Sequence, residues 1–424
     1  MMHGPPERRV GQRVRPNDPV RLVWYPQGMV TVSVGVVANP ASGRDVRRLV
    51  TGASVFDNAE KGAMVHRLMA GLGAVGVDRV VMMPAGSGLS QSLQRHLSGR
   101  TGHLAAQRLP ELEVLEMALR EDARDSAEAV LAMAERQVAA IVVLGGDGTH
   151  RVVARHCGDI PLCALSTGTN NAFPELREAT VAGLATGLVA TGRLGGDELV
   201  RRAKQLEIAV DGGARDGALV DVAVTAERWV GSRALWRVGS ISEALVTFAS
   251  PGAVGLSAVA AAVAPVPRAA PFGLHLRLAP PERAPHAVTV PLAPGLIAEV
   301  GVLEARRVQP GQIVPLAARA GCLALDGERE IELARHDQVT VRLGQGPLVV
   351  DVDAVMAAAS HHQLLNQATT RRADDGNHRP TGPGQQGAAP GVVPHDADHP
   401  RVRGAAAQGV RHRRDPRVRP PVRG

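Results

Sequence analysis

The sequence predicts an N-terminal doubly wound parallel α/β domain followed by a C-terminal antiparallel β-sandwich domain, an α/β plus all-β chain. Two observations carry the prediction. Between Val32 and Leu165, short apolar strands alternate with amphipathic helical stretches, the rhythm of βαβ units. From Lys204 to Val350 the apolar runs are short and interrupted by Gly, Pro and Asp, as in antiparallel strands joined by turns.

In order, Val32–Ala38 reads as a buried strand. Ala59–Leu72 places Met64, Leu68 and Leu72 on one stripe and reads as a helix. Gly71-Leu72-Gly73-Ala74-Val75-Gly76 matches the dinucleotide fingerprint letter for letter. It ends a helix and precedes the strand Arg79–Met83, however, whereas the fingerprint needs the reverse order, so these glycines are assigned to a helix terminus. Asp122–Arg136 is an amphipathic helix. Ile141–Leu144, with Ala139 and Ala140 before it, is a strand apolar on both faces. Thr149–His156 is helical, and Ile160–Leu165 is a third buried strand. Strands then follow at 206–210, 219–224, 274–278, 287–290, 297–303, 313–316, 323–325, 331–333, 339–343 and 348–350, and Val352–Leu365 reads as a closing helix.

Three of the α/β strands end in small, turn-prone residues. They are Asn39-Pro40-Ala41-Ser42-Gly43, Gly145-Gly146-Asp147-Gly148-Thr149, and Ser166-Thr167-Gly168-Thr169-Asn170-Asn171-Ala172-Phe173-Pro174. Loops at the carboxyl ends of parallel strands converge on one crevice, so the three predict a shared nucleotide site. Glycines let a phosphate approach the backbone and permit φ > 0 where a turn demands it, and the helix after them favours an anion at its start. Asp147 is the one acid in that loop. Its alternative role is an N-cap of the following helix. No Gly-Lys-Ser/Thr follows the glycines, so this is not a Walker loop.

Composition narrows the function further. The chain has 424 residues, a formal charge of +7 and only 2% aromatic residues, with Lys61 and Lys204 its sole lysines. From Gln367 onward 11 arginines face 5 aspartates, and Met1 to Val30 holds 5 arginines against 2 acids, so the middle is slightly acidic and offers no basic face for nucleic acid. No apolar run reaches the roughly 18 residues of a membrane span, the stretch Ala253–Val266 coming closest, and the polar N-terminus lacks the apolar core of a leader. A cytoplasmic protein is expected. Cys157, Cys163 and Cys322 lack metal-ligand or disulfide spacing, and His361-His362 point apart on a helix, so no metal site is expected.

The motif order Asn-Pro-x-Ser-Gly, Gly-Gly-Asp-Gly-Thr and Gly-Thr-Asn resembles the superfamily joining ATP-NAD kinases with diacylglycerol-type lipid kinases. More narrowly, Ala38–Leu49, Ser54–Met69, Ser166–Pro174 and Ala249–Ala258 are similar to the acetoin-catabolism protein X group. The resemblance implies Asp147 as catalytic base or metal-facing acid. It implies nucleotide contacts from Asn39, Ser42, Gly43, Gly145, Gly146, Gly148, Thr149, Thr167, Gly168, Thr169, Asn170 and Asn171, with Asp221, Ser250 and Gly252 from the second domain. For Thr167 to Asn171, bonding within the turn is the competing role. Asp326-Gly327-Glu328 reads as a hairpin turn. Where NAD kinases carry Asn before an acid, this sequence has Val220-Asp221, and valine cannot supply an amide's hydrogen bonds.

The expected activity is ATP-dependent phosphoryl transfer to a hydroxyl of NAD or another small molecule, with ATP and Mg²⁺ as cofactors. The alternatives are a non-catalytic nucleotide-binding regulator and a kinase with a lipid-like acceptor. Expected partners are a nucleotide, a small-molecule substrate and further copies of the chain, with neither nucleic acid nor a membrane. The expected units are an unstructured extension over 1–30, a nucleotide-binding α/β domain over 31–200, a β-sandwich over 201–350, a helix over 351–366 returning to the first domain, and a disordered Arg/Pro/Gly tail over 367–424.

Overall fold

The computed structural model describes residues 31–40, 56–168, 171–211, 215–227, 238–317, 321–327 and 329–366. The expectations for the extension, the tail, Ser42, Gly43, Thr169, Asn170 and Glu328 lie outside these residues. The first half carries β1 (Ser33–Ala38), α1 (Asn58–Ala74), β2 (Arg79–Met82), α2 (Ser87–Ser98), β3 (Glu111–Val114), α3 (Ala123–Glu135), β4 (Ala140–Gly145), α4 (Asp147–His156), β5 (Leu162–Ser166) and α5 (Ala179–Ala190). The second carries β6 (Val200–Val210), β7 (Arg215–Ala218), β8 (Asp221–Thr225), β9 (Ile241–Val246), α6 (Leu256–Val263), β10 (Gly273–Ala279), β11 (His286–Ala293), β12 (Leu296–Val308), β13 (Ile313–Leu316), β14 (Gly321–Leu325), β15 (Arg329–Leu333), β16 (Val339–Val350) and α7 (Val352–His361).

Strands β3-β2-β1-β4-β5 lie side by side and parallel in that order. The order reverses between β1 and β4, and open α/β sheets bind ligands outside the carboxyl ends of the strands at such a reversal. Those two ends carry Asn39 and the Gly145–Thr149 loop. Both faces of the sheet are covered, as a parallel sheet requires. Val34, Val36 and Val142 pack with Met64 and Leu68 of α1 and with Leu188 of α5, while Val37, Ile141 and Val143 pack with Val130 and Met133 of α3 and Val153 of α4.

Helix α1 starts at Asp57, whose side chain caps the Glu60 amide at 2.7 Å. Its glycines serve packing. A Cβ on Gly71 would stand 2.3 Å from the Thr180 carbonyl of α5, and one on Gly73 would stand 2.2 Å from that of Arg108. The fingerprint-like sequence is thus a close helix contact, with Gly76 at φ +100° ending it.

The sheet does not stop at β5. Strand β16 joins it in parallel through Val349 and Leu162, and β6, β7 and β13 extend it with antiparallel pairing. A second sheet, β11-β12-β10-β9-β8-β14-β15, is antiparallel throughout. Leu206, Ile208, Val341 and Leu343 of the first sheet meet Val222, Val224, Leu323 and Leu325 of the second, which forms the C-terminal β-sandwich. Leu256 and Val259 of α6 cover the far face against Leu274 and Leu276. The apolar stretch around Ala253–Val266 is therefore a short packing helix. Among the described residues no helix is long and apolar enough to cross a membrane. Val352, Val355 and Ala359 of α7 join the apolar layer of α1 and α5. All three cysteines are buried, and burial pushes the thiols of Cys157 and Cys163 up to about 11.

Candidate active site

The four apolar residues of β4 bury the strand, and Gly145 ends it where a Cβ would lie 2.7 Å from the Thr149 side chain. Gly146 follows in extended backbone, φ −94° and ψ −175°, as the N-cap of α4 without a side-chain cap bond. Two sequence expectations are corrected here. The helix begins at Asp147 rather than Thr149, because Gly146 occupies the capping position. Among the described glycines with positive φ, none belongs to this loop, and Gly145 acts through close approach to Thr149 and not through left-handed backbone.

Asp147 is accordingly not the N-cap. From the first helical turn its carboxylate reaches across to the next loop, accepting the Phe173 amide at 2.8 Å and the Ala172 amide at 3.0 and 3.2 Å. It is 6% exposed. A carboxylate at a helix N-terminus also gains from the helix dipole. The loop after β5 is thereby fastened to the start of α4, and the Thr167 amide adds a bond to the Gly145 carbonyl at 3.3 Å.

The loop after β1 joins the same assembly. Asn39 Nδ2 donates to Thr149 Oγ1 at 3.2 Å, and the Lys61 ammonium of α1 donates to the Asn39 carbonyl at 3.0 Å. Lys61 is 1% exposed and is a site residue that sequence reasoning missed. Its only signal was rarity in an arginine-rich chain. Asn171 bonds Ser166 Oγ at 2.8 Å and the Gly168 carbonyl at 3.3 Å, so its amide shapes the turn itself. Of the candidate residues, Asn39, Gly145, Gly146, Asp147, Gly148, Thr149, Thr167, Gly168 and Asn171 thus belong to one connected cluster of loops and the helix start they flank.

The second domain reaches this cluster through Arg268. Arg268 donates to the Ala172 carbonyl at 2.5 Å and stacks 4.1 Å from the Phe248 ring centroid. Phe248, Phe173, Leu219 and Val220 form one apolar cluster between the two sheets. Ser250 lies just beyond Phe248 with its amide bonded to Ser257 Oγ at 3.3 Å, and Gly252 is exposed with open space where a Cβ would point. Asp221 starts β8 and is buried.

Two further buried groups stand behind the loops. His150, fully buried, bonds the Gly146 carbonyl through Nδ1 at 2.8 Å, and burial holds its pKa down to about 4, so the ring is neutral at pH 7. Asp326, in the β14–β15 turn, accepts the amides of Leu219, Val220 and Asp221 at 3.2, 2.8 and 3.3 Å. Arg151 of α4 stands 3.6 Å from it and donates to the Leu325 carbonyl at 3.1 Å. The Asp-Gly sequence makes a turn as expected, and its aspartate additionally ties the second domain to α4.

The cap residue of α4, Gly146, offers no side chain to the helix, and a helix N-terminus of this kind favours an anion such as a phosphate. Among the described residues there is no group of three His, Cys, Asp or Glu able to hold a metal. A magnesium ion fits here only as one carried largely by phosphates and water, the usual habit of that cation.

The chain matches two family models in sequence. Residues 34–194 match the ATP-NAD kinase N-terminal domain, and residues 204–346 match the acetoin catabolism protein X C-terminal domain. Fold and sequence match together define an N-terminal domain of the NAD kinase type joined to a second, β-sheet domain. The acetoin catabolism protein X of Cupriavidus necator is 43% identical over 337 residues, 78% of this chain and 93% of that protein. This chain belongs to the acetoin catabolism protein X family.

Proposed function

We propose that the chain is an ATP-dependent phosphotransferase acting on a hydroxyl of a small molecule, in the service of acetoin catabolism. The observation that carries the reading is the convergence of three strand-end loops at the order reversal of the sheet, with Asp147 at the start of α4 as their shared acid. Phosphoryl transfer asks a protein for positioning, charge stabilisation and a group to receive the hydroxyl proton. In this reading the α4 amides and the Gly145–Thr149 loop hold phosphate, and Asn39 and Thr149 set the loop spacing. Asp147 receives the proton or faces the metal. ATP supplies the phosphoryl group, with Mg²⁺ neutralising its charge.

NAD is one candidate acceptor, and the site argues against it. Val220, at the place of the NAD kinase asparagine, is 2% exposed within the Phe173–Phe248 cluster and offers the acceptor no polar side chain. A smaller acceptor is the better fit.

A second reading rests on one observation. The Asp147 carboxylate is an acceptor for two loop amides, and that bonding organises a nucleotide site whether or not turnover occurs. On this reading the chain is a nucleotide-binding regulator. Incubation with ATP, Mg²⁺ and a panel of NAD, NADH, acetoin and diacylglycerol separates the two. A phosphorylated product supports the transferase, whereas ATP binding without product from any acceptor supports the regulator.

A further inference from the structure

A cavity of about 230 Å³ opens where β5, β6 and β16 meet the segment that follows Phe248, and Asp147 does not line it. Its apolar floor includes Phe173, Leu219, Phe248 and Val349. Its rim is cationic, and the partners of each cation decide which is available to a ligand. Arg177 gives both terminal nitrogens to the Asp353 carboxylate at 2.5 and 2.7 Å and also bonds Glu175. Lys204 directs its ammonium to the carbonyls of Pro267, Ala270 and Phe272 at 3.3, 2.8 and 2.9 Å, which uses all three donors. Arg202 pairs with Asp159 at 2.8 Å and donates to the Gly346 carbonyl at 3.4 Å, and Arg201 donates to the Glu198 carbonyl at 3.0 Å and stands 3.5 Å from the Asp351 carboxylate.

Arg268 is different. Its guanidinium carbon stands 4.1 Å from the Phe248 ring centroid, and it donates one hydrogen bond, to the Ala172 carbonyl. Glu175 is 3.7 Å away, beyond hydrogen-bond reach. Among the described residues, most of its five donors are therefore uncommitted at the mouth of an apolar cavity.

We propose that this cavity binds a small organic carboxylate, its anionic end held by the Arg268 guanidinium and its short carbon body against Phe173 and Phe248. Size supports a small ligand, since 230 Å³ lies below the ~300–1,000 Å³ of pockets for drug-sized molecules and far below the needs of a dinucleotide. Charge selects a monoanion. Glu175, Asp351 and Asp353 share the lining and would repel a second negative charge, which disfavours a phosphate dianion. The planar guanidinium matches a carboxylate in bidentate fashion. The inference is independent of phosphoryl transfer, although Arg268 touches the carbonyl of Ala172, whose amide bonds Asp147, so occupancy would be felt at the catalytic loop.

The test is calorimetric titration of the full chain, without nucleotide, using butanoate, 2-hydroxybutanoate, inorganic phosphate and the uncharged isostere butanamide. The carboxylates should bind at millimolar concentration or tighter, with butanamide and phosphate at least tenfold weaker. Arg268→Met, which keeps an apolar stem over Phe248, should weaken butanoate at least tenfold. Ala203→Leu, which fills the cavity from β6, should abolish binding. Equal binding of butanoate and butanamide, which needs no variant, would overturn the proposal. So would stronger binding of phosphate, absence of carboxylate binding at millimolar concentration, or affinity unchanged in both variants.

Discussion

Asp326 Oδ1 accepts the backbone amide of Val220 at 2.8 Å, joining the turn between two sandwich strands to the peptide that leads into β8. Asp326 sits at φ +49°, in the left-handed region that Asp and Asn tolerate better than other side chains. With Arg151 at 3.6 Å, it links the helix that begins at Asp147 to the strand that begins at Asp221. The relative position of the two domains thus rests on one buried carboxylate as well as on apolar packing.

That carboxylate makes stability depend on pH. Burial, opposed by Arg151 and the three amides, raises the Asp326 pKa from its ordinary 3.8 to about 6. The folded state therefore holds a proton that the unfolded chain releases between those values, and the stabilisation present below pH ~4 is lost as pH rises through about 6. The full change is on the order of 3 kcal/mol. Asp326→Asn keeps an acceptor oxygen and tolerates the backbone but does not titrate. Denaturant titrations across this range should show the wild type losing stability relative to the Asn variant as pH rises, and a constant difference would refute the assignment.

Val220→Asn would restore the NAD kinase residue to a site that cannot use it. The amide would be buried against Phe173, Leu219 and Phe248. An unsatisfied buried amide costs about 1–3 kcal/mol by mutational measures, so a lowered denaturation midpoint is expected with no gain of NAD phosphorylation. A variant that phosphorylates NAD would show that the side chain meets the acceptor.

Phe173→Ala removes the ring that joins the Asp147-bound loop to the second domain. Phe173 is 5% exposed, and truncation of a buried phenylalanine costs about 3–5 kcal/mol. A loss under about 1 kcal/mol in chemical denaturation would mean the interface is loosely packed.

The α/β half was readable because its signals are local. The apolar run of β4, the glycines and the helix-forming residues after them lie within consecutive positions, and the structure joins them as expected. Helix α2 was missed because SGLSQSLQRHLS is rich in serine and weak in helix propensity, and β3 because Glu-Leu-Glu-Val makes a four-residue, half-exposed edge strand. Pairing of β16 with both β5 and β6 couples positions far apart in the chain, and no local pattern encodes it. The same holds for the site. Asp147 announced itself through its glycines. Lys61 and Arg268 act on backbone carbonyls distant in sequence, which any loop could present. The expectation of φ > 0 in the Gly145–Thr149 loop failed because close approach to Thr149 already accounts for a glycine at 145.

The most direct measurement compares ATP affinity and phosphorylated product for the wild type and Asp147→Asn. Asn keeps one carbonyl oxygen for the Phe173 amide but turns an N–H₂ group toward the loop, so a stability loss of about 1–2 kcal/mol is expected. If Asp147 is the base or organises the metal, ATP affinity survives while turnover falls ~10²-fold or more, the scale of general-base loss. Turnover undiminished in a folded Asn variant would contradict the account, leaving Asp147 as a fastener of the Ala172–Phe173 loop alone.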